Sequence, residues 1–156
     1  MIKIRKAEAQ DTSIIAGFNK AMALETESKQ LDQEIIQSGV ARMIMDNDLG
    51  FYLVALFNDG SGDEIAGCLA ITTEWSDWRN GLFWWIQSVY VPERFRREGI
   101  FSRMYQHVRD LAEKENDVCG IRLYVEKENE SAIRTYLRLG MIETDYRILE
   151  EEFVTP

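Results

Sequence analysis

The chain has 156 residues, of which 46% are hydrophobic, enough to build one domain over residues 1–156 with a real core and an argument against two. Its formal charge of -9 is spread along the sequence, which disfavours a nucleic-acid partner and weakly favours a small cationic one. Cys68 and Cys119 lie in apolar strand-like runs and read as two buried thiols, the start MIKIRKAEAQ lacks a signal-like stretch, and no run approaches the roughly 20 apolar residues that cross a bilayer, so a cytoplasmic protein without a membrane partner is expected.

Ile2 and Ile4 alternate with Lys3 and Arg5, which predicts a short first strand, and Asp11 offers an N-cap to a helix carrying Ile14, Ile15, Phe18 and Met22. The polar stretch Glu25 to Gln30 separates it from a second helix, where Ile35, Ile36, Gly39, Val40, Met43 and Ile44 share one face. FYLVALF (Phe51 to Phe57), the turn-rich NDGSGDE and IAGCLAITT (Ile65 to Thr73) read as a hairpin, and LFWWIQSVYV (Leu82 to Val91) follows and stops at Pro92. With no helix between them, these strands should be antiparallel neighbours.

From Gly99 the pattern turns helical, with Phe101, Met104, Tyr105, Val108, Leu111 and Ala112 on one stripe, and the strand GIRLYVE (Gly120 to Glu126) comes next. A short helix from Glu130 to Leu139 stops at Gly140, where a left-handed C-cap would sit, and a last strand or pair of strands covers Ile142 to Phe153. The predicted order βααββββαβαβ is an α+β fold: a mixed, mostly antiparallel sheet of six to seven strands flanked by four helices, with one parallel step around the third helix.

The most informative segment is Val89 to Ser102, VYVPERFRREGIFS, in which a strand ends at Pro92, a basic loop follows and a helix starts at Gly99. Backbone N–H groups at a helix N-terminus carry about half a positive charge, Gly99 lets a phosphate approach closely, and Arg94, Arg96 and Arg97 add formal charge. A pyrophosphate would fit; the same arginines would also suit a solvated surface. GxxxxGK[ST] and GxGxxG are both absent, which disfavours a nucleotide-binding fold of another kind.

Arg96, Arg97, Glu98, Gly99, Ile100 and Phe101 resemble the Q/R-x-x-G-x-G/A loop of the GNAT superfamily of N-acetyltransferases, and EKENESAIRTYLRLGM (Glu126 to Met141) is similar to that family's second half through Asn129, Ala132, Tyr136 and Gly140. Phe101 departs from the small residue usual there, and such a side chain has to turn into the core beneath the helix. The resemblance implies acetyl transfer from acetyl-CoA to a primary amine of a small molecule or protein by direct attack in a ternary complex, with no metal, and it allows a homodimer. It implies that strands four and five splay apart, that the pantetheine arm pairs along Val89, Tyr90 and Val91, that Arg96 to Ser102 hold the pyrophosphate, and that Asn129 and Ala132 adjoin the cofactor. A backbone N–H near Val89 would face the thioester carbonyl. Tyr136 would protonate the leaving thiolate, since a phenol of pKa about 10 can supply that proton; as a side chain on the apolar face of its helix it could equally be core.

An alkylamine has a pKa near 10.4 and must lose a proton before it attacks, so a carboxylate is needed directly or through water. Glu25 and Glu27, between the first two helices, are the first candidates; Glu74 and Asp77 approach from the loop after the third strand. Trp75, Asp77 and Trp78, within WSDWR, would wall the acceptor pocket, while Trp84 and Trp85 alternate to opposite faces so that at least one is core. His107, among polar neighbours, reads as solvated. The rival functions are a non-catalytic CoA-binding sensor of the same fold and a protein-interaction module using exposed tryptophans; turnover and CoA affinity separate the three.

Overall fold

The computed structural model describes residues 1–153, and these divide into two compact units, Met1–Tyr124 and a second that begins at Val125. The first unit contains β1 (Ile2–Lys6), α1 (Thr12–Glu27), α2 (Gln33–Met45), β2 (Phe51–Asn58), β3 (Asp63–Ser76), β4 (Gly81–Tyr90), α3 (Ile100–Ala112) and β5 (Val118–Arg122). The strands form one sheet in the order β1-β2-β3-β4-β5, antiparallel up to β4, and β5 adds to β4 in parallel after the α3 crossover. Short turns join β2 to β3 and β3 to β4, α1 and α2 lie between β1 and β2, and the parallel partner β5 requires a connection as long as a helix.

Alternation along the strands supplies two apolar faces. Tyr52, Val54, Cys68 and Ala70 join Ile15 and Ala16 of α1 and Val40 of α2, with Phe18, Ile36, Met43 and Ile44 packed around them. The intervening Leu53, Leu69 and Ile71 are fully buried as well. Gly67 shares their face, and a Cβ there would press on the Tyr90 carbonyl at 3.1 Å, Val91 at 3.2 Å and Ile100 at the start of α3 at 3.3 Å. The stripe Ile100, Met104, Tyr105, Val108 and Ala112 is the buried side of α3. On α2, by contrast, Ile35 is 75% exposed, outside the apolar face assigned to it from sequence. Asp32 caps that helix, its side chain accepting from the Glu34 and Ile35 amides, and this places Ile35 in the outer first turn.

Near α1, Arg5 meets Asp11 through two hydrogen bonds of 2.6 and 3.0 Å, and the Glu8 amide donates to the same carboxylate at 2.8 Å. Burial alone would raise the Asp11 carboxyl, but the Arg5 guanidinium and the Glu8 amide outweigh it and hold it below its ordinary value. Asp11 therefore anchors β1 to the entry of α1 instead of capping that helix with its side chain.

In the second unit, α4 (Glu130–Arg138) begins at Asn129, whose side chain accepts from the Ala132 amide at 3.2 Å. It ends at Gly140 with φ 94°, and the Met141 amide donates back to the Tyr136 carbonyl at 3.1 Å, the closing bond of a Schellman turn. Cap and stop fall where the sequence puts them.

Four expectations need correction. Three strands, not four, lie between α2 and α3, and among the described residues the sheet has five strands instead of six or seven. The last strand of the first unit ends at Arg122, because its ladder with β4 ends there, and Leu123 to Glu126 are not strand. Ile142 to Phe153 form no strand among the described residues. Their apolar side chains Ile142, Tyr146, Ile148, Leu149 and Phe153 are all exposed, and the adjacent Ile148 and Leu149 followed by three glutamates break the period of two that a half-buried strand needs. Finally, Cys68 is buried as expected but Cys119 is exposed, since β5 is the last strand of the sheet and Cys119 lies on its open face. Among the described residues no helix is long and apolar enough to cross a membrane.

Candidate functional site

The site begins with an irregularity in β4. Cys68 pairs with Tyr90 and Ala70 with Gln87, so two steps along β3 face three along β4. The extra residue is accommodated at Ser88, whose φ of 50° is left-handed for a residue with a side chain. Partners hold this bulge from both sides. Gln87 Nε2 donates to Thr72 Oγ1 at 2.5 Å, Cys68 Sγ lies 3.7 Å from the Ser88 carbonyl, and the buried Asn19 donates to the Tyr52 hydroxyl at 3.3 Å. Burial pushes the Tyr52 phenol up, and hydrogen bonds from Asn19 and Ser88 oppose the shift.

On its other edge, β4 is paired with β5 only from Leu82 to Trp85, while β4 itself continues to Tyr90. Strands four and five thus part after Trp85, as expected, and an extended chain could pair along the remainder of β4. Trp84 is 8% exposed and meets Phe51 edge to face at 5.4 Å; Trp85 lies on the opposite face, 5.9 Å from Tyr124.

Beyond Pro92 a single 3-10 turn, Glu93–Phe95, buries Phe95 against Phe57 at 5.6 Å and delivers the chain to the basic loop. Arg97 and Gly99 both have positive φ, 72° and 73°, and α3 then starts with the Arg103 amide bonded to the Gly99 carbonyl at 3.1 Å. No side chain caps α3. Its first-turn amides lack intrahelical acceptors, and the place where a Cβ at Gly99 would stand has no atom within 4 Å. An open helix N-terminus of this kind is suited to an anion. The core position of that turn belongs to Ile100, 2% exposed; Phe101, expected in the core, is half-buried with its ring 6.2 Å from that of Tyr105 one turn along. Ile100 lies four residues before Met104 on the centre of the buried face, whereas Phe101 is on its margin beside Tyr105.

The three arginines of the loop have different surroundings. Arg94 pairs with Glu64 and lies over the Phe95 ring. Arg96 donates through Nε to the Val91 carbonyl at 2.9 Å and through Nη2 to Glu25 at 2.6 Å. Arg97 has no carboxylate partner among the described residues. Glu25 also accepts from the Tyr90 hydroxyl at 2.9 Å, so both of its oxygens are used. The Arg96 hydrogen bond holds the Glu25 carboxyl below its ordinary value against a smaller opposing effect of burial.

Glu25 and Glu27 lie in the last turn of α1 and not between the helices, because α1 continues to Glu27 before Ser28 takes a left-handed conformation, φ 52°. Two positions apart on a helix, they do not share a face. An open groove of about 630 Å³ is lined by Phe18, Ala21, Pro92, Glu93, Arg94 and Tyr90, the last of which donates to Glu25. Glu93 is a carboxylate that sequence reasoning passed over; only its lining of this groove marks it.

Trp75 and Glu74 belong to β3 and not to a loop, since β3 runs to Ser76; Asp77 and Trp78 form the turn into β4, where Asp77 accepts from the Trp78 amide at 2.9 Å. Trp75 and Trp78 are 58% and 84% exposed, and Glu74 pairs with Arg122 at 2.5 Å. Trp75 is seven residues along β3 from Cys68, the partner of Tyr90, a distance of roughly 23 Å in an extended strand. The structure therefore does not bring Trp75, Asp77 and Trp78 to Glu25. In the second unit, burial pushes the Tyr136 phenol above its ordinary value. Among the described residues no three His, Cys, Asp or Glu side chains gather as metal ligands.

No curated protein matches the chain. A solved structure of a possible acetyltransferase from Clostridium difficile 630 is 42% identical, with 99% of each chain covered and a TM-score of 0.89. Two more distant structures share the fold. A predicted acetyltransferase with acetyl-CoA from Clostridium acetobutylicum is 20% identical over 97% of this chain and 96% of that one, TM-score 0.76. Glucosamine-6-phosphate N-acetyltransferase from Arabidopsis thaliana is 22% identical over 97% and 98%, TM-score 0.70. The sequence model of the Acetyltransferase (GNAT) family matches residues 15–141, and the chain belongs to that family.

Proposed function

We propose that this protein moves an acetyl group from acetyl-CoA to a primary amine, borne by a small molecule or a protein, by direct attack within a ternary complex. The observation that carries the reading is a strand, β4, that outruns β5, bulges at Ser88 and leads within ten residues to the uncapped N-terminus of α3 at Gly99. The residues present fit the cofactor: the free edge of β4 at Val89 and Tyr90, with Val91 just beyond it, suits a pantetheine amide, and the open space above Gly99 suits a pyrophosphate. Arg97, Glu98, Ile100, Phe101 and Ser102 would surround those phosphates, with Asn129 and Ala132 at the start of α4 adjoining the cofactor. When bound, acetyl-CoA supplies an activated thioester.

The chain's own groups do the remaining work. The backbone N–H near Val89 offers a fixed donor to oxygen as negative charge develops. The Tyr136 hydroxyl holds the proton that the departing sulfur needs. For the amine's proton we assign a water chain to an acidic side chain, with Glu27 and Glu93 as candidates that have no ion-pair partner among the described residues. Trp75, Asp77 and Trp78 lie too far along β3 from the Val89 end of β4 to touch the attacking amine, and they give an exposed aromatic and acidic surface for a remote part of a protein acceptor. Both cysteines are free, in keeping with a reducing, cytoplasmic setting.

Thiol release from acetyl-CoA against a panel of polyamines, amino acids, aminoglycoside-like amines and peptide amines tests this reading. Turnover with at least one amine is expected. Micromolar CoA binding without turnover on any of them would favour the sensor, and no CoA binding would leave only the interaction module.

A further inference from the structure

Three hydrogen bonds close a ring around the end of β4. The Tyr90 hydroxyl donates to Glu25 Oε1, Arg96 Nη2 donates to Glu25 Oε2, and Arg96 Nε donates to the Val91 carbonyl. The Arg96 guanidinium also lies 5.8 Å from the Tyr90 ring centroid. These contacts join α1 to residues 65 and 71 positions away in sequence. They enclose the segment Tyr90 to Arg96, which runs from the bulge to the anion loop and so sets the spacing between the free edge of β4 and the helix N-terminus at Gly99.

A carboxylate bonded on both oxygens and paired with a guanidinium is a poor proton acceptor, whereas the same bonds make it an effective brace. We propose that Glu25 is a positioning residue for the cofactor: by holding Arg96 and Tyr90 it fixes the distance between the pantetheine edge and the pyrophosphate loop. This rests on the proposed acetyl-CoA chemistry and replaces the base role expected of Glu25 from sequence. Arg96 likewise acts as a tie, because its guanidinium is engaged on both sides, and this leaves Arg97 as the loop arginine available to phosphate. Other contacts hold parts of the segment: the Phe95 amide bonds to Pro92 at 2.9 Å and the Arg96 amide to Glu93 at 3.1 Å, Phe95 packs on Phe57, and Arg94 pairs with Glu64, but only the Glu25 ring joins Tyr90 to Arg96 through α1.

The test compares parent, Glu25→Gln, Arg96→Gln and the double variant in calorimetric CoA titration, steady-state kinetics and hydrogen exchange of the free protein. Glu25→Gln should weaken CoA about five- to tenfold, leave kcat within about twofold, and speed exchange of the Phe95 and Arg96 amides about tenfold. The double variant should bind no worse than Arg96→Gln, since Glu25 acts through Arg96. Tyr90→Phe, which loses one tie and keeps the ring, should give a smaller change in the same direction even if Glu25→Gln folds poorly. A drop in kcat of tenfold or more with a changed pH profile and parental CoA affinity would make Glu25 the base and overturn the inference. Parental affinity and exchange rates in Glu25→Gln would overturn it alone; a parent protein without CoA affinity would sink it together with the proposed function.

Discussion

Replacing Gly99 by aspartate separates the cost to the fold from the cost to the ligand. Gly99 has φ 73° and ψ 16°, and a Cβ there meets nothing within 4 Å, so the substitution brings backbone strain without a clash. A left-handed conformation costs an L-residue about 1–2 kcal/mol, and an acidic side chain at a helix N-terminus recovers about 0.3–1 kcal/mol. The net loss of roughly 1 kcal/mol corresponds to a fall in Tm of about 2–4 °C for a chain of this size. The ligand is affected far more. A carboxylate about 4 Å from a phosphate is repelled by about 4 kcal/mol at an effective dielectric constant near 20, and screening at an open surface reduces this to roughly 1.4–2.7 kcal/mol, or a 10- to 100-fold loss of affinity. Gly99→Ala is the control, with similar strain and no charge; its CoA affinity should fall less than about fivefold. Calorimetric titration at two salt concentrations beside thermal melts would show the pattern, and the gap between the Asp and Ala variants should narrow at high salt. If Gly99→Asp binds CoA within about twofold of the parent, the phosphates do not sit at this helix and the site is misplaced.

Tyr136→Phe should cut kcat by roughly 10 to 10⁴ fold with little change in CoA affinity, because the ring stays and only the proton donor is lost; an unchanged rate with a Tm drop of the order expected for about 1 kcal/mol would assign Tyr136 to packing. Since burial raises its pKa, the parent should keep its activity on the alkaline side until the phenol ionises, above the ordinary tyrosine value near 10. Asp11→Asn should cost roughly 2 kcal/mol at neutral pH, a discounted figure for a pair whose aspartate side chain is 4% exposed and whose arginine is 31% exposed. The Asp11 carboxyl is held low in the folded state, so its contribution is present above the unfolded pKa of about 3.9 and is lost as pH falls through the folded value. The stability gap between parent and variant, measured by urea unfolding, should therefore shrink below about pH 4; a gap that stays constant into strong acid would refute the assignment.

Elements whose physics is contained within a few residues could be read from the chain directly. The stripe Met104, Tyr105, Val108 and Ala112 makes one face of α3 at helical spacing. Asn129 and Gly140 bound α4 because a cap and a left-handed stop act over three or four neighbours. Pro92 and Gly99 mark the end of β4 and the start of α3 by the same local logic. The bulge at Ser88 leaves no such trace, since it exists only as a mismatch between β4 and the β3 residues opposite it. The early end of β5 is likewise decided by where its ladder with β4 stops, though Leu123 to Glu126 continue an acceptable strand pattern. Glu25 shows the limit most clearly. In a sequence with 27 acidic residues it reads, with Glu27, as a first candidate for the base, and only the folded chain brings Tyr90 and Arg96 to its two oxygens. Periodicity and capping are written within a turn of helix, whereas register and ion pairing depend on residues tens of positions away, which the chain meets only after the sheet has formed.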